Sequence, residues 1–305
     1  MTEYPVVYIV ILNWNLKDDT AECVESVLDL DYPKLSIVLV DNGSTDGSPQ
    51  YLSSRFPQIR VVANRENKGF TAGNNVGIQY ALGHGADYVF ILNNDTIVDR
   101  ESLRELVSVA ESDPRIGIVG PLILYHEAKD KIWELGARQY RYLPIPLSIG
   151  RGQSDQGQFG SWVPLDYVTG CAMLVRSEVL RTVGLFQSSG SLYHWYGGDN
   201  EFCYRVGKAG YLVLGAPRAK IWHKVSLTAK RASTAARYLR TRDRVIFYRS
   251  CPHGPHPLLT DLYLLVNGMK TVVLDVIRGH TDLVCPLVRG LYDGYQGDSS
   301  ELRFL

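Results

Sequence analysis

Val6-Val7-Tyr8-Ile9-Val10-Ile11-Leu12 is an unbroken apolar run, rich in β-branched residues and followed at once by Asn13-Trp14-Asn15. Without polar alternation it reads as a strand covered on both faces, the habit of parallel sheets. The same grammar recurs downstream. Helical periodicity covers 17–30, SIVLVD occupies 36–41, a turn-rich NGSTDGSP leads into a second helix, and IRVVA lies at 59–63. A Gly- and Asn-rich helix at 69–82 and DYVFIL at 87–92 follow. Four strands alternating with helices predict an α/β fold with a right-handed, mostly parallel sheet.

Beyond Leu92 the spacing predicts a helix at 101–112 and a strand at 116–119, after which the pattern loosens. Residues 136–164 are rich in Gly, Pro, Gln and aromatics, which predicts long loops or a small antiparallel insert carrying substrate-specific surface. Regular structure resumes with a strand at 167–175, a short helix at 177–183, a mobile segment at 186–198, a helix at 199–209 and a strand at 211–214.

The chain has 305 residues, 45% hydrophobic and 21% charged, enough to bury the core of an enzyme-sized protein. Thirty-two Lys and Arg balance 32 Asp and Glu, so nothing overall points to nucleic-acid binding. Five scattered cysteines form no CxxC pair and read as reduced and mostly buried. The first residues lack a basic n-region and cleavage site, which predicts a cytoplasmic protein. Charge is uneven locally: ten Lys or Arg lie between 218 and 249 against the single acid Asp243. Next, 258–277 places apolar residues at helical spacing but carries Asp261, Lys270 and Asp275, so no membrane span is expected. These two stretches read as a solvated face, a nucleic-acid patch or, by preference, a surface touching anionic lipid.

In an open α/β sheet the ligand lies at the carboxyl ends of the strands. Here those ends are polar: Asn13-Trp14-Asn15, Asp41-Asn42-Gly43-Ser44 and Asn93-Asn94-Asp95. Taken alone, the second is an ordinary capped turn. The third delivers a carboxylate from a buried strand, placed to hold a divalent cation against diphosphate oxygens.

Asp41-Asn42-Gly43-Ser44-Thr45-Asp46, Asn67-Lys68-Gly69-Phe70 with Gly73-Asn74-Asn75, and Leu92-Asn93-Asn94-Asp95-Thr96 resemble the successive motifs of family-2 inverting glycosyltransferases, most of all a rhamnosyl- and galactofuranosyltransferase-like branch. The resemblance implies a GT-A fold, Rossmann-like with helices on both sides of the sheet, in residues 1–225. Residues 1–120 form its nucleotide half and 121–225 its acceptor half, with a helical extension at 226–305. It also implies a UDP- or dTDP-linked sugar donor, a divalent cation (Mn2+ or Mg2+) and a glycan or lipid-linked acceptor in cell-surface polysaccharide assembly. The enzyme would work in the cytoplasm, peripheral on the inner face of the membrane. By the same resemblance Asp41 faces the base, and Asn13, Lys68 and Asn94 line the nucleotide. Asn42, Gly69 and Asn74 of these motifs and Asn15 of the first strand end complete the donor set. The reduced Asn93-Asn94-Asp95 leaves Asp95 as its anionic metal ligand, and His223, after Lys220-Ile221-Trp222, corresponds to a second. Gly69 to Gly73 either present helix amides to phosphate or permit close packing.

Inverting transfer needs one carboxylate to take the acceptor's hydroxyl proton. Gly197-Gly198-Asp199-Asn200-Glu201 resembles the family's acidic motif and puts the base on Asp199, with Gly198 in place of the usual first acid. Read without the motif, Asp199 is a helix cap. Trp195 either stacks on the acceptor or packs in the core. A rival reading from another class is a silent nucleotide-sugar-binding or membrane-docking protein on the same fold.

Overall fold

The computed structural model describes residues 4–140, 145–188, 197–225, 234–251 and 257–297. Its first half alternates as expected: β1 (Val7–Asn13), α1 (Lys17–Leu28), β2 (Leu35–Asp41), α2 (Ser48–Arg55), β3 (Arg60–Ala63), α3 (Gly69–Gly83), β4 (Tyr88–Asn93), β5 (Thr96–Val98) and α4 (Ser102–Glu111). Then come β6 (Ile116–Tyr125), the short strands β7 (Ile132–Glu134), β8 (Ala137–Gln139), β9 (Pro146–Ser148) and β10 (Val163–Leu165), and β11 (Ala172–Arg176). Helices α5 (Ser177–Thr182) and α6 (Gly198–Lys208), strand β12 (Leu212–His223), and helices α7 (Thr234–Ser250), α8 (Pro257–Ile277) and α9 (Val284–Gln296) complete it.

One large sheet runs β10-β12-β6-β11-β4-β1-β2-β3, with β5 on β12 and β7 on β6. β1 pairs in parallel with β2 and β4, and β3 continues parallel to β2. β11 enters antiparallel between β4 and β6, which makes the sheet mixed. The opening run is covered on both faces: Val7, Ile9 and Ile11 pack with Val24, Val27 and Leu103, while Val10 packs on the other side with Ile78, Ala81 and Phe202.

Three expectations are corrected. The strand at 211–214 extends to His223, because β12 absorbs Gly215-Ala216-Pro217 in a register shift between Ala216 and Lys220 instead of stopping there. The strand at 116–119 likewise runs on to Tyr125. The strand expected from Tyr167 begins only at Ala172, since Tyr167 bridges to Ala137 across the insert. The insert itself is antiparallel, with β8 paired to β9.

The C-terminal helices have a core of their own, Val245, Phe247, Tyr248, Cys251 and Leu264, against which Tyr204 of α6 packs. α9 crosses α7 so closely that a Cβ on Gly290 would lie 2.6 Å from the Tyr238 carbonyl oxygen. The basic stretch presents fewer free charges than its composition suggests. Lys220 pairs with Asp155, Lys224 with Asp19 and Glu22, Arg237 with Asp275, and Arg242 with Asp243. Arg244 donates to the Tyr263 hydroxyl and Arg249 to the Tyr295 carbonyl. Lys230 and Arg231 lie outside the described residues, as do Trp195 and most of the segment expected to be mobile. α8 is long and apolar enough to cross a membrane by length and composition alone, a property the sequence reading had discounted for its three charges.

Candidate active site

The ends of β1, β2 and β4 lie side by side because Asn13 is in register with Asp41, and Leu12 with Asn93. Their side chains close into one hydrogen-bonded network. Asn13 Nδ2 donates to Asp41 Oδ1 at 2.7 Å, while Asn13 Oδ1 accepts from Thr20 at 2.7 Å and from Asn94 at 3.1 Å. Asp41 Oδ1 also accepts from the Ser44 hydroxyl, and Oδ2 from its amide. Asn13 is fully buried, so it acts beneath the cleft by orienting Asp41 and Asn94. Asn42 ties β2 to the loop before α3: Nδ2 donates to Asn67 at 2.8 Å and to the Gly69 carbonyl, and Oδ1 accepts from the Lys68 amide. Asn15, at a left-handed φ of 54°, accepts from the Thr45 amide at 2.7 Å.

Leu12, Trp14, Asn42, Gly69, Phe70, Asn94 and Asp95 line a cavity at these strand ends. Lys68 stands exposed at the start of α3. The two roles of the glycines separate. Gly69 takes φ 78° at the helix entrance, whereas Gly73 has no room for a side chain, its Cβ position being 2.7 Å from Leu12. Asn74 is buried in α3 with Oδ1 unpartnered.

Asp95 and His223 meet through the sheet. β5 pairs antiparallel with β12, His223 opposite Thr96, and His223 Nε2 comes to 3.1 Å from Asp95 Oδ1. Both side chains are buried, and His223 Nδ1 has no hydrogen-bond partner. Burial opposes protonation of His223, but Cys171 and Asp95 beside it outweigh this and raise the imidazole to about 10. At 3.1 Å the contact is that of an ion pair, and this imidazole and carboxylate would suit a divalent cation once the imidazole gives up its proton. Among the described residues no group of three or more His, Cys, Asp or Glu that could hold a metal ion is gathered here.

A second cavity, about 410 Å³, adjoins the first and shares Phe70 and Asn93 with it. Asp199 and His223 line it, together with Trp133, Glu134, Arg151 and Tyr167. Asp199 is not the helix cap: Gly197 holds that position at φ 86°. Its carboxylate is gripped at Oδ2 from outside the helix, by the Gly170 amide at 2.8 Å and the Tyr167 hydroxyl at 3.1 Å, while Oδ1 accepts from the Asn200 amide within α6. Burial pushes its pKa above the ordinary 3.8 against the pull of those three donors. Glu201 is occupied elsewhere, held at 2.5 Å by Arg205, which in turn secures the Val183 and Leu185 carbonyls.

Sequence reasoning missed Glu134 and Arg151. They come from the irregular insert, where no periodicity marks them, and only the β6–β7 pairing brings Glu134 to the cleft. Glu134 is buried, accepts from Ser148 at 2.8 Å and lies 3.2 Å from Arg151. Burial raises its pKa, with Ser148 and Arg151 opposing.

A mixed sheet with polar strand ends and two joined cavities is the GT-A architecture of sugar transferases, and a mannosyltransferase of Pyrobaculum calidifontis in complex with GDP-Man and Mn2+ shares it. That structure matches with a TM-score of 0.60 at 18% identity, over 97% of this chain and 89% of that one. The chain belongs to glycosyl transferase family 2, whose model matches residues 8–184, more than half its length. It is therefore a glycosyltransferase. The low-salt glycan biosynthesis hexosyltransferase Agl10 of Haloferax volcanii is 24% identical over 300 residues, 94% of this chain and 90% of that protein. The N-acetylglucosaminyl-diphospho-decaprenol L-rhamnosyltransferase of Mycobacterium tuberculosis is 29% identical over 224 residues, covering 62% of this chain and 66% of that one.

Proposed function

We propose that the enzyme moves a hexose or deoxyhexose, with inversion, from a UDP- or dTDP-linked donor to a hydroxyl of a glycan or lipid-linked acceptor in cell-surface polysaccharide assembly. The observation that carries this reading is the Asp199 carboxylate, fixed by Gly170 and Tyr167 in a cavity joined to the polar strand-end cavity. In this reading the first cavity takes the nucleotide. Asp41, Asn42 and Asn15 meet the base and ribose, Lys68 and the Gly69 end of α3 meet the diphosphate, Asn94 completes the lining, and the buried Asn74 stands behind it in α3. Asp95 and His223 hold Mn2+ or Mg2+, which supplies charge neutralisation for the departing diphosphate.

Asp199 accepts the proton from the acceptor hydroxyl as its oxygen attacks the anomeric carbon. Glu134 and Arg151 hold hydroxyls of the acceptor in the second cavity, and Trp195 belongs to the same acceptor side. The nucleotide half is 1–120, the acceptor half 121–225 and the extension 226–305. A lipid-linked acceptor places the protein in the cytoplasm at the inner face of the membrane, where the exposed Arg218 and Arg240 touch anionic lipid.

The test is thermal stability against a panel of nucleoside diphosphates and nucleotide sugars, with and without Mn2+ or Mg2+. A metal-dependent rise in Tm with uridine or thymidine diphosphates is expected, because a ligand that binds the folded state raises the midpoint. No rise with any nucleotide at millimolar concentration overturns the donor assignment.

A further inference from the structure

α8 faces the wrong way for a helix of a water-soluble monomer. Its polar side is turned inward, Asp275 pairing with Arg237 and Tyr263 with Arg244 of α7. Nine aliphatic side chains of α8 are 45–73% exposed. Together they present on the order of 900 Å², more than the few hundred Å² usual for a monomer's largest patch and comparable with the surface one partner gives to a standard interface.

The exposed Leu258, Leu262, Leu265, Met269 and Val276, with the half-buried Val272 among them, are spaced four, three, four, three and four apart, the alternation of a helix-pairing seam. The spacing is also symmetric about Asn267. Two copies crossing antiparallel bring Leu265 of one against Met269 of the other, Leu262 against Val272, and Leu258 against Val276. On α8 itself the edges of the stripe carry Asp261 and Lys270, one charge of each sign, where a helix lying on anionic lipid carries a row of cations. From this the geometry points to a two-fold dimer in which α8 packs antiparallel against α8 of a second copy.

Light scattering on the eluted full chain at tens of micromolar is expected to give twice the 34.2 kDa chain mass. Leu265→Lys should reduce it to the monomer mass, with an unchanged far-UV circular dichroism spectrum as the check on folding. Adding Met269→Glu should restore the dimer, since the antiparallel crossing sets the new charges opposite each other. A monomeric wild type overturns the proposal whatever the variants do. A monomer that floats with phosphatidylglycerol vesicles gives the face to a bilayer instead. A dimer unaffected by Leu265→Lys places the interface elsewhere, and a folded double variant that stays monomeric rejects the antiparallel pairing.

Discussion

Asp199 is held by three hydrogen bonds while burial works against its charge. A proton acceptor must be ionised, so transfer should fall as the pH drops through its pKa, and burial moves that acid limb above 3.8. Tyr167→Phe removes a donor that favours the ionised form, so the limb should move to higher pH in a pH–rate profile of transfer. An unmoved limb means that another group titrates. Asp199→Asn should keep donor binding and lose about 10²–10⁴-fold in transfer rate, read as calorimetric donor affinity beside turnover. Glu134→Gln keeps a partner for Ser148 but loses the charge facing Arg151, so KM for the acceptor should rise several-fold with kcat little changed. An equal loss in both parameters would give Glu134 a part in the chemical step instead.

At the scale of elements, the cleft depends on α3 lying close over the sheet. A Cβ on Gly77 would stand 2.3 Å from Val10 Cγ1 and 3.0 Å from Val40 Cγ2. Gly77→Ala must therefore push α3 off β1 and β2, and urea unfolding should show a loss of about 1–3 kcal/mol. The same comparison shows how far the sequence could be read. β1, β2 and β4 were legible because both faces are buried and their residues are apolar throughout, so the strand ends at Asn13, Asp41 and Asn93 followed directly. β12 was legible only to Leu214, since Gly215 and Pro217 carry the local signature of a strand's end. Its pairing with β6 and β5 overrode that signature and carried His223 to Asp95. Asp199 could be read as cap or base from the sequence, and the structure removes the cap reading, since Gly197 caps α6 and Gly170 donates to the carboxylate across a loop.

On the scale of the whole molecule, the strand-end cavity, the Asp95–His223 pair and the Asp199 cavity, proposed above as donor site, metal pair and acceptor site, lie along one edge of a single sheet. Metal removal should thus act on donor binding before it acts on folding. Dialysis against EDTA is expected to leave the Tm of the free enzyme nearly unchanged and to abolish the Tm rise produced by nucleoside diphosphate, with Mn2+ restoring it. A large fall in the Tm of the free enzyme would mean that the ion is structural. The helical extension has a core of its own, and most of its described cations are spent on internal partners.

The sequence by itself determined the alternation of strands and helices, the polar strand ends, and the family to which their motifs point. These rest on periodicity and short-range order, which a linear chain displays directly. The tertiary structure alone decided that Asp95 and His223 lie 3.1 Å apart, that Glu134 and Arg151 reach the cleft, and that α8 turns its apolar side outward. Each of these depends on contacts between residues far apart in the chain, and burial, pairing and exposure exist only once those contacts form.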